Sequence, residues 1–248
     1  MHRFFVSADC IRAGQVTLTG PVAHQIQHVL RLRPKDQIVV IDTAGTEYTA
    51  ELELVNAGEA VARVLSQQPA RSEPGLRLTL YQSLVQREKF EWILQKCTEV
   101  GIAAIVPVLS ERSLLRSWDP DDARKLPRWE RILQEAAEQS HRGKVPGLRP
   151  PQSFAQAAAA AVREHDLCLI PWEEERSLNM RQALAQAQRP LRTLALFIGP
   201  EGGFTTEEAS VARDLGIQPV TLGRRILRAE TAAVVASALV LFQVGEME

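Results

Sequence analysis

The segment best suited to hold a ligand is rich in glycine and lies at positions 198–205, where the sequence reads IGPEGGFT. It follows an apolar run typical of a buried strand, and Thr205 with Glu208 forms a capping box that marks the start of a helix. Ligands of α/β sheets bind at the carboxyl ends of the strands. Three glycines let the backbone approach a ligand and adopt positive φ angles, whereas a plain tight turn, the structural alternative, needs only one.

The glycine pattern also limits the kind of ligand. It is neither GxGxxG nor a P-loop, because no Lys-Ser/Thr pair follows the glycines. A phosphate-anchored nucleotide is therefore disfavoured. A nucleoside-type ligand held by backbone groups remains.

A second loop, which reads LGRRILRAETA at 222–232, also lies between a strand end and a helix. Its aliphatic pair, Ile226 and Leu227, can line an apolar pocket for a base, and Arg228 can reach a phosphate or another anionic atom. The alternative is a solvated basic turn in which Arg228 pairs with Glu230. Two such loops after successive strands would face each other across one site, which favours the functional interpretation.

Two further segments carry weaker signals. The helix that includes residues 91–101 is amphipathic, and this pattern indicates a helix that packs on the core in preference to one that carries a functional site. The segment 135–142 places Glu135, Gln139 and Arg142 on one helical face, which suits a base edge and a phosphate but equally a solvated surface. On a short helix in the N-terminal part, basic residues recur every three to four positions and then continue, at His24, His28, Arg31, Arg33 and Lys35. The histidine pair lacks a third ligand, so no metal site is expected.

The secondary-structure pattern changes near residue 70, which predicts two domains. Residues 1–70 contain short β-type runs, a hairpin turn at 42–45 and one helix near 22–30, which predicts a small β-barrel. A linker rich in proline follows at 67–75. Residues 75–248 alternate strands with helices, including helices near 87–100 and 230–243, which predicts an α/β domain with a parallel sheet.

Composition limits the class of protein. The 29 Lys and Arg residues against 30 Asp and Glu give a net charge of -1, which excludes a polybasic, histone-like protein but not a local basic patch. Three dispersed cysteines exclude a disulfide framework and a zinc knuckle. There is no long apolar run and no signal-peptide pattern, so we expect no membrane span and a cytoplasmic location.

Taken together in chain order, these segments resemble one family. The chain closely resembles the small-subunit ribosomal RNA uracil-N3-methyltransferases of the SPOUT superfamily over nearly its whole length. The segments that carry the resemblance are RFFV at 3–6, QKCTEVG at 95–101, SERS at 110–113, EAAEQSHR at 135–142, FIGPEGGF at 197–204 and LGRRILRAETA at 222–232.

The resemblance implies a PUA-like RNA-binding barrel and a SPOUT domain with a deep trefoil knot. It also implies a homodimer, and a uridine of 16S ribosomal RNA as substrate, within the assembled small subunit. S-adenosylmethionine would be the cofactor, and no metal is implied. The implied cofactor-binding residues belong to three loops: Leu169, Ile170 and Pro171; Ile198, Gly199, Pro200, Glu201, Gly202 and Gly203; and Leu222, Gly223, Ile226, Leu227 and Arg228.

The resemblance also suggests roles for single residues. We assign Arg228 to stabilising the uracil anion, and Glu201 to orienting the loop or cofactor in preference to accepting a proton. The residues expected to bind RNA are Arg3, His24, His28, Arg31, Arg33, Gln139 and Arg142. The sequence departs from the family pattern at Pro34-Lys35-Asp36, His141 and Ala229, and these departures leave the motif glycines intact.

Two other functions compete with this one. A non-catalytic RNA-binding assembly factor with the same fold is the main alternative, and the intact glycines at 199, 202 and 203 argue against it. An oxidoreductase that binds a dinucleotide is disfavoured by the absence of GxGxxG.

Overall fold

The computed structural model describes residues 1–115, 117–187 and 190–247. The chain divides into two compact units, Met1–Glu73 with Ala137–Lys144, and Pro74–Ala136 with Val145–Glu248. The division near residue 70 agrees with the sequence, but the inclusion of 137–144 in the first unit does not follow from it. The Glu73 carboxylate explains this inclusion, because it accepts hydrogen bonds from the backbone N–H groups of Gly143 (3.0 Å) and Lys144 (3.2 Å).

The first unit is built on a six-stranded sheet in the order β1-β4-β5-β6-β3-β2. The pair β1–β4 is parallel and the other pairs are antiparallel. Its inward side chains include Phe4, Val16 and Ile38. The strands are β1 (His2–Phe5), β2 (Ile11–Arg12), β3 (Gln15–Thr19), β4 (Gln37–Ile41), β5 (Thr46–Asn56) and β6 (Glu59–Pro69).

Two local expectations are confirmed in this unit. The turn between β4 and β5 is held by Asp42, whose carboxylate accepts the N–H groups of Ala44 and Thr46, both at 2.9 Å. The expected helix is α1 (Gly20–His24) continued by a π-helical turn, Gln25–Val29. This helical segment buries Ile26 and leaves its two histidines exposed.

The second unit contains a seven-stranded sheet in which every pair is parallel. The order is β10-β8-β7-β12-β11-β13, with β9 beside β8. Its elements are β7 (Arg77–Ser83), α2 (Arg87–Val100), β8 (Ala104–Leu109), a 3-10 helix (Pro120–Lys125), α3 (Leu126–Gln139, which ends in the first unit), β9 (Gly147–Leu148), β10 (Gln152–Ser153), α4 (Phe154–Glu164), β11 (Leu167–Pro171), α5 (Met180–Gln186), β12 (Thr193–Ile198), α6 (Thr206–Asp214), β13 (Gln218–Val220) and α7 (Ala229–Gln243).

Helix ends follow local chemistry. Helix α2 ends at Gly101, whose φ of +116° is a left-handed conformation that favours glycine. Ser153 and Thr205 cap α4 and α6 as capping boxes. The helical region changes type just before Pro127, because the 3-10 helix ends at Lys125 and α3 begins at Leu126. This proline lies in the first turn of α3, where its missing N–H has no partner to lose.

The alternation of strand residues produces two apolar layers. On one face Leu80, Leu169 and Leu196 pack with α2 and α7, and on the other Ile170 and Phe197 pack with α4 and α6. These layers fix the ends of the strands, and therefore the loops that follow them. Within the described residues, no helix has the length and apolar character needed to cross a bilayer.

Candidate functional site

A cleft of about 230 Å³ opens at the carboxyl ends of β11, β12 and β13, where the sequence predicted a site. Three loops and the start of α7 form its wall. The lining residues are Pro171, Trp172, Glu173, Arg176, Ile198, Gly199, Pro200, Glu201, Gly202, Gly203, Phe204, Thr221, Leu222, Gly223, Arg224, Arg225, Ile226, Leu227, Ala229 and Ala232. Both glycine-containing segments therefore meet at one site, as the sequence predicted.

The glycine loop after β12 is closely packed. A Cβ atom on Gly199 would lie 3.3 Å from the carbonyl carbon of Gly203 and from the ring of Phe204. Gly203 has a φ of +68°, a left-handed conformation that favours glycine, and a Cβ there would meet the exposed carboxylate of Glu173. Gly203 N–H also closes a turn onto the carbonyl of Pro200 at 3.0 Å. A plain turn would not require this packing, which presents bare backbone to the cleft.

The segment that follows β8 supports this loop from behind. Arg112 Nη1 donates to the carbonyl of Gly202 at 2.8 Å. Glu208, in the capping box of α6, accepts the backbone N–H of Glu111 at 2.9 Å. The motif at 110–113 thus positions the glycine loop, a role that its spacing alone did not reveal.

Glu201 is tied to the start of α2. Its Oε1 accepts hydrogen bonds from Lys89 Nζ (3.1 Å) and from the backbone N–H of Gln86 (3.3 Å). Burial alone raises the pKa of Glu201, but backbone hydrogen bonds and Lys89 outweigh burial and lower the pKa below its usual 4.5. The side chain is therefore a carboxylate at neutral pH and a poor proton acceptor, which favours an orienting role.

The loop after β11 is held by backbone and carboxylate contacts. Trp172 N–H donates to the carbonyl of Val220 (3.0 Å), and Thr221 N–H donates to that of Leu178 (2.8 Å). Hydrogen bonds from Ser177, and then from Leu178 and the backbone of Arg176, lower the pKa of Glu175 to about 2, although burial opposes them. A permanently charged Glu175 thus fixes the turn that forms one wall of the cleft.

The arginine-rich loop after β13 is more open. Gly223 has a φ of +110°, and its N–H donates to Thr221 Oγ1 at 3.1 Å. Arg224 and Arg225 line the cleft and are exposed. Arg228 is the N-cap of α7 and does not line the cleft, although its neighbours Leu227 and Ala229 do.

Part of the expected cofactor set does not present its side chains to the cleft. Leu169 and Ile170 are fully buried, at 0% exposure, and their side chains pack into the two opposite apolar layers. Only Pro171 of that group lines the cleft, because the strand's alternation ends there. The sequence missed Trp172, Glu173 and Arg176, whose only signal is that they directly follow a strand end.

Comparison with known proteins agrees with this geometry. A family model for an RNA methyltransferase domain matches residues 72–241, and one for an RNA methyltransferase PUA domain matches 18–65. The chain is 38% identical to ribosomal RNA small subunit methyltransferase E of Synechocystis sp., covering 96% of this chain and 76% of that protein. It is 32% identical to the Bacillus subtilis protein of the same name, covering 98% and 97%.

The chain belongs to the ribosomal RNA small subunit methyltransferase E family. Solved structures agree. The family member from Neisseria gonorrhoeae, bound to S-adenosyl methionine, superposes with a TM-score of 0.86 at 32% identity, covering 98% of this chain and 97% of that one. A methyltransferase of Legionella pneumophila in complex with the same cofactor gives 0.87 at 30% identity, covering 97% and 96%.

Most of the residues that the sequence proposed as RNA contacts lie on the surface of the first unit. His24, His28, Arg31 and Arg33 are all exposed, and the two histidine rings lie 4.7 Å apart between centroids. Gln139 is also exposed, at the end of α3. We call the set His24, His28, Arg31, Arg33 and Lys35 the basic stripe; Lys35 is also exposed. Gln139 lies on a different element and is not part of it.

Two of the expected RNA-binding residues do not fit that role. Arg3 is 10% exposed and forms an ion pair with Glu47. Arg142 is 4% exposed, and its Nη2 donates to Glu73 at 2.6 Å. Arg142 also lies beyond the end of α3, because His141 adopts a left-handed φ of +60°, so it does not share a helical face with Gln139. Both arginines hold the first unit together. Among the described residues, no three His, Cys, Asp or Glu side chains form a group that could hold a metal ion.

Proposed function

We propose that this protein transfers a methyl group from S-adenosylmethionine to N3 of a uridine in 16S ribosomal RNA, within the assembled small subunit. The observation that carries the proposal is the cleft of three loops at the carboxyl ends of β11, β12 and β13, with bare glycine backbone on its wall. The proposal is supported by membership of a family whose Neisseria member was solved with this cofactor. Action on ribosomal subunits would place the protein in the cytoplasm.

The residues of the cleft fit this cofactor. Backbone of 198–203 and the aliphatic side chains of Leu222, Ile226 and Leu227 suit an adenosine that has no phosphate to anchor, as the sequence implied. Small residues at Ala229 and Ala232 leave space at the start of α7. When bound, the cofactor supplies a methyl group on a positively charged sulfur.

The chain's own contribution is orientation and charge. Uracil N3 becomes a nucleophile only when its proton has left, and a cation beside the uracil carbonyls stabilises the anion that results. We assign this cation to Arg228, which is exposed and holds no ion pair within the described part of the chain. Glu201 keeps the glycine loop in place through Lys89 and Gln86, and so acts as a positioning residue.

RNA binding is assigned to the basic stripe. Its exposed cations suit contacts with phosphates, which position an RNA without reading its sequence. We propose that the first unit is a PUA-like barrel, which the matching PUA model at 18–65 supports. We also propose that the second unit contains a deep trefoil knot, in which α7 is threaded through a loop.

We further propose a homodimer that uses the exposed apolar face of α7. Leu239 is 42% and Phe242 61% exposed, and with Met180 and Leu184 of α5 they line a groove. Leu222 and Gly223 line both this groove and the cleft. A second copy seated on the groove would therefore adjoin the site.

The direct test is incubation of the full chain with labelled S-adenosylmethionine and undermethylated small subunits. Formation of N3-methyluridine supports the proposal. RNA binding without cofactor binding or methyl transfer would favour the non-catalytic assembly factor.

A further inference from the structure

A second pocket in the α/β unit lies apart from the cleft's lining and is not used by the chemistry above. It has a volume of about 340 Å³ and is formed by the start of α2, the segment before the 3-10 helix, that helix and the start of α3. The lining residues are Leu84, Val85, Arg87, Phe90, Glu91, Leu115, Trp118, Arg124, Lys125, Arg128 and Trp129. We call it the aromatic pocket.

Aromatic rings form a continuous cluster in this pocket. The rings of Phe90 and Trp129 lie 4.6 Å apart between centroids, and those of Trp129 and Trp118 lie 5.6 Å apart. Phe90 and Trp129 are buried, whereas Trp118 is only partly buried. Trp118 is therefore the ring that a ligand can reach from solvent, and Lys125 Nζ lies over it at 5.6 Å from the ring centroid. Flat aromatic surfaces of this kind stack on nucleobases.

The rim of the pocket is basic. Arg87, Arg124, Lys125 and Arg128 line it together with one carboxylate, Glu91, and Lys125 also pairs with Asp122 at 2.5 Å. Arg128 holds both oxygens of Glu91, at 2.6 and 2.7 Å, and Arg87 donates to the same group at 3.1 Å. One carboxylate cannot neutralise two guanidinium groups, so the rim keeps a positive charge. A planar apolar wall beside the positive charge left by the two arginines that share Glu91 matches a base with its phosphate.

The position of the pocket relates it to the methyl-transfer site. Helix α2 begins at the pocket, and the Gln86 N–H and Lys89 at this same helix end bind Glu201 of the cleft. We infer that the aromatic pocket holds an unstacked nucleotide of single-stranded RNA that lies near the target uridine in the same strand. This inference rests on the proposed function for the identity of that strand.

The test is the affinity of the full-length protein for a short, fluorescently labelled oligouridylate, measured by anisotropy without cofactor. We expect Trp118→Ala to weaken binding about 10-fold, since stacking on one aromatic ring contributes roughly 1–3 kcal/mol. The matched control is Trp92→Ala, which removes a 42% exposed tryptophan of α2 that does not line the pocket. Equal affinities for the two variants would overturn the inference.

Two further measurements keep the test decisive. If Trp118→Ala misfolds, Arg87→Gln should weaken binding more than Arg131→Gln, which removes an equally exposed arginine of α3 outside the pocket that also pairs with a glutamate; equal affinities would overturn the inference. Sedimentation compares the oligomeric mass of Trp118→Ala with that of the unmodified protein. A change in mass would identify the pocket as a subunit contact and would overturn the inference. The anisotropy measurement uses no cofactor and is therefore independent of methyl transfer. If the unmodified protein failed to transfer methyl, the proposed function would be refuted, but the binding result would still stand.

Discussion

Lys89 Nζ lies 3.1 Å from Oε1 of Glu201, so the glycine loop after β12 is tied to the first turn of α2. The negative charge of Glu201 also lies at the positive end of that helix, which adds to its stabilisation. The loop that presents bare backbone to the cleft is thus fixed before any ligand arrives.

Replacement of Glu201 by glutamine tests whether this carboxylate positions or accepts protons. The amide oxygen of glutamine can still accept the Gln86 N–H, so we expect cofactor affinity and the rate of single-turnover methyl transfer to fall less than 10-fold. If Glu201 were the general base, its loss would lower that rate by about 100- to 10,000-fold. Rates measured on undermethylated small subunits decide between the two. The lowered pKa of Glu201 adds a second readout. The unmodified protein should have a larger free energy of unfolding than the variant above pH 4.5, and this difference should be lost as the pH falls below 4.5.

The left-handed glycine of the loop should combine strain with a local clash. Gly203→Ala is expected to lower the free energy of unfolding by about 1–2 kcal/mol, the cost of a left-handed alanine. It should also weaken cofactor binding, because the new methyl displaces the Glu173 carboxylate, which lines the cleft. Gly216→Ala is the matched control, since its φ is +94° and nothing lies within 4 Å. Denaturant unfolding should change similarly for both variants, and calorimetry should show weaker cofactor binding for Gly203→Ala alone. Unchanged affinity would contradict the packing argument.

The basic stripe should show itself in the salt dependence of subunit binding. We expect Arg33→Gln to flatten the slope of log affinity against log salt by about 0.7–0.9, the effect of one lost phosphate contact. Arg63→Gln makes the same change of charge at a residue that pairs with Glu51 and Glu53, and its slope should equal that of the unmodified protein. Identical slopes for Arg33→Gln and the unmodified protein would locate the RNA surface elsewhere.

The proposed dimer contact makes a prediction about mass. Phe242→Glu places a charge in the groove beside α5, so sedimentation should report a monomer for this variant. Val211→Glu is the control, because Val211 is an apolar residue of α6 with 44% exposure that does not line the groove. A Phe242→Glu variant that remains dimeric would show that the copies meet through another face.

The sequence predicted the architecture well because local rules determined it. Helix α2 occupies the expected residues 87–100, since its apolar spacing and Gly101 leave little choice. The parallel sheet followed from buried runs separated by helices. The association of 137–144 with the first unit was not predictable, because it depends on Glu73, which lies far away in the chain.

The site was predicted in part. Glycine spacing located the two loops that form the cleft, but strand alternation placed Leu169 and Ile170 inside the two cores. Residue type alone suggested that Arg3 and Arg142 bind RNA, whereas each has an acidic partner supplied by distant sequence. Sequence reveals where cations are, but only the fold reveals which of them are already paired.

Transfer of labelled methyl from S-adenosylmethionine to undermethylated small subunits, with the product nucleoside identified by mass spectrometry, decides whether the chain is the proposed methyltransferase. We expect one N3-methyluridine in 16S ribosomal RNA, with turnover that collapses in Arg228→Ala while cofactor affinity changes little. Absence of methylated uridine with the unmodified protein, or unchanged turnover in Arg228→Ala, would contradict this expectation.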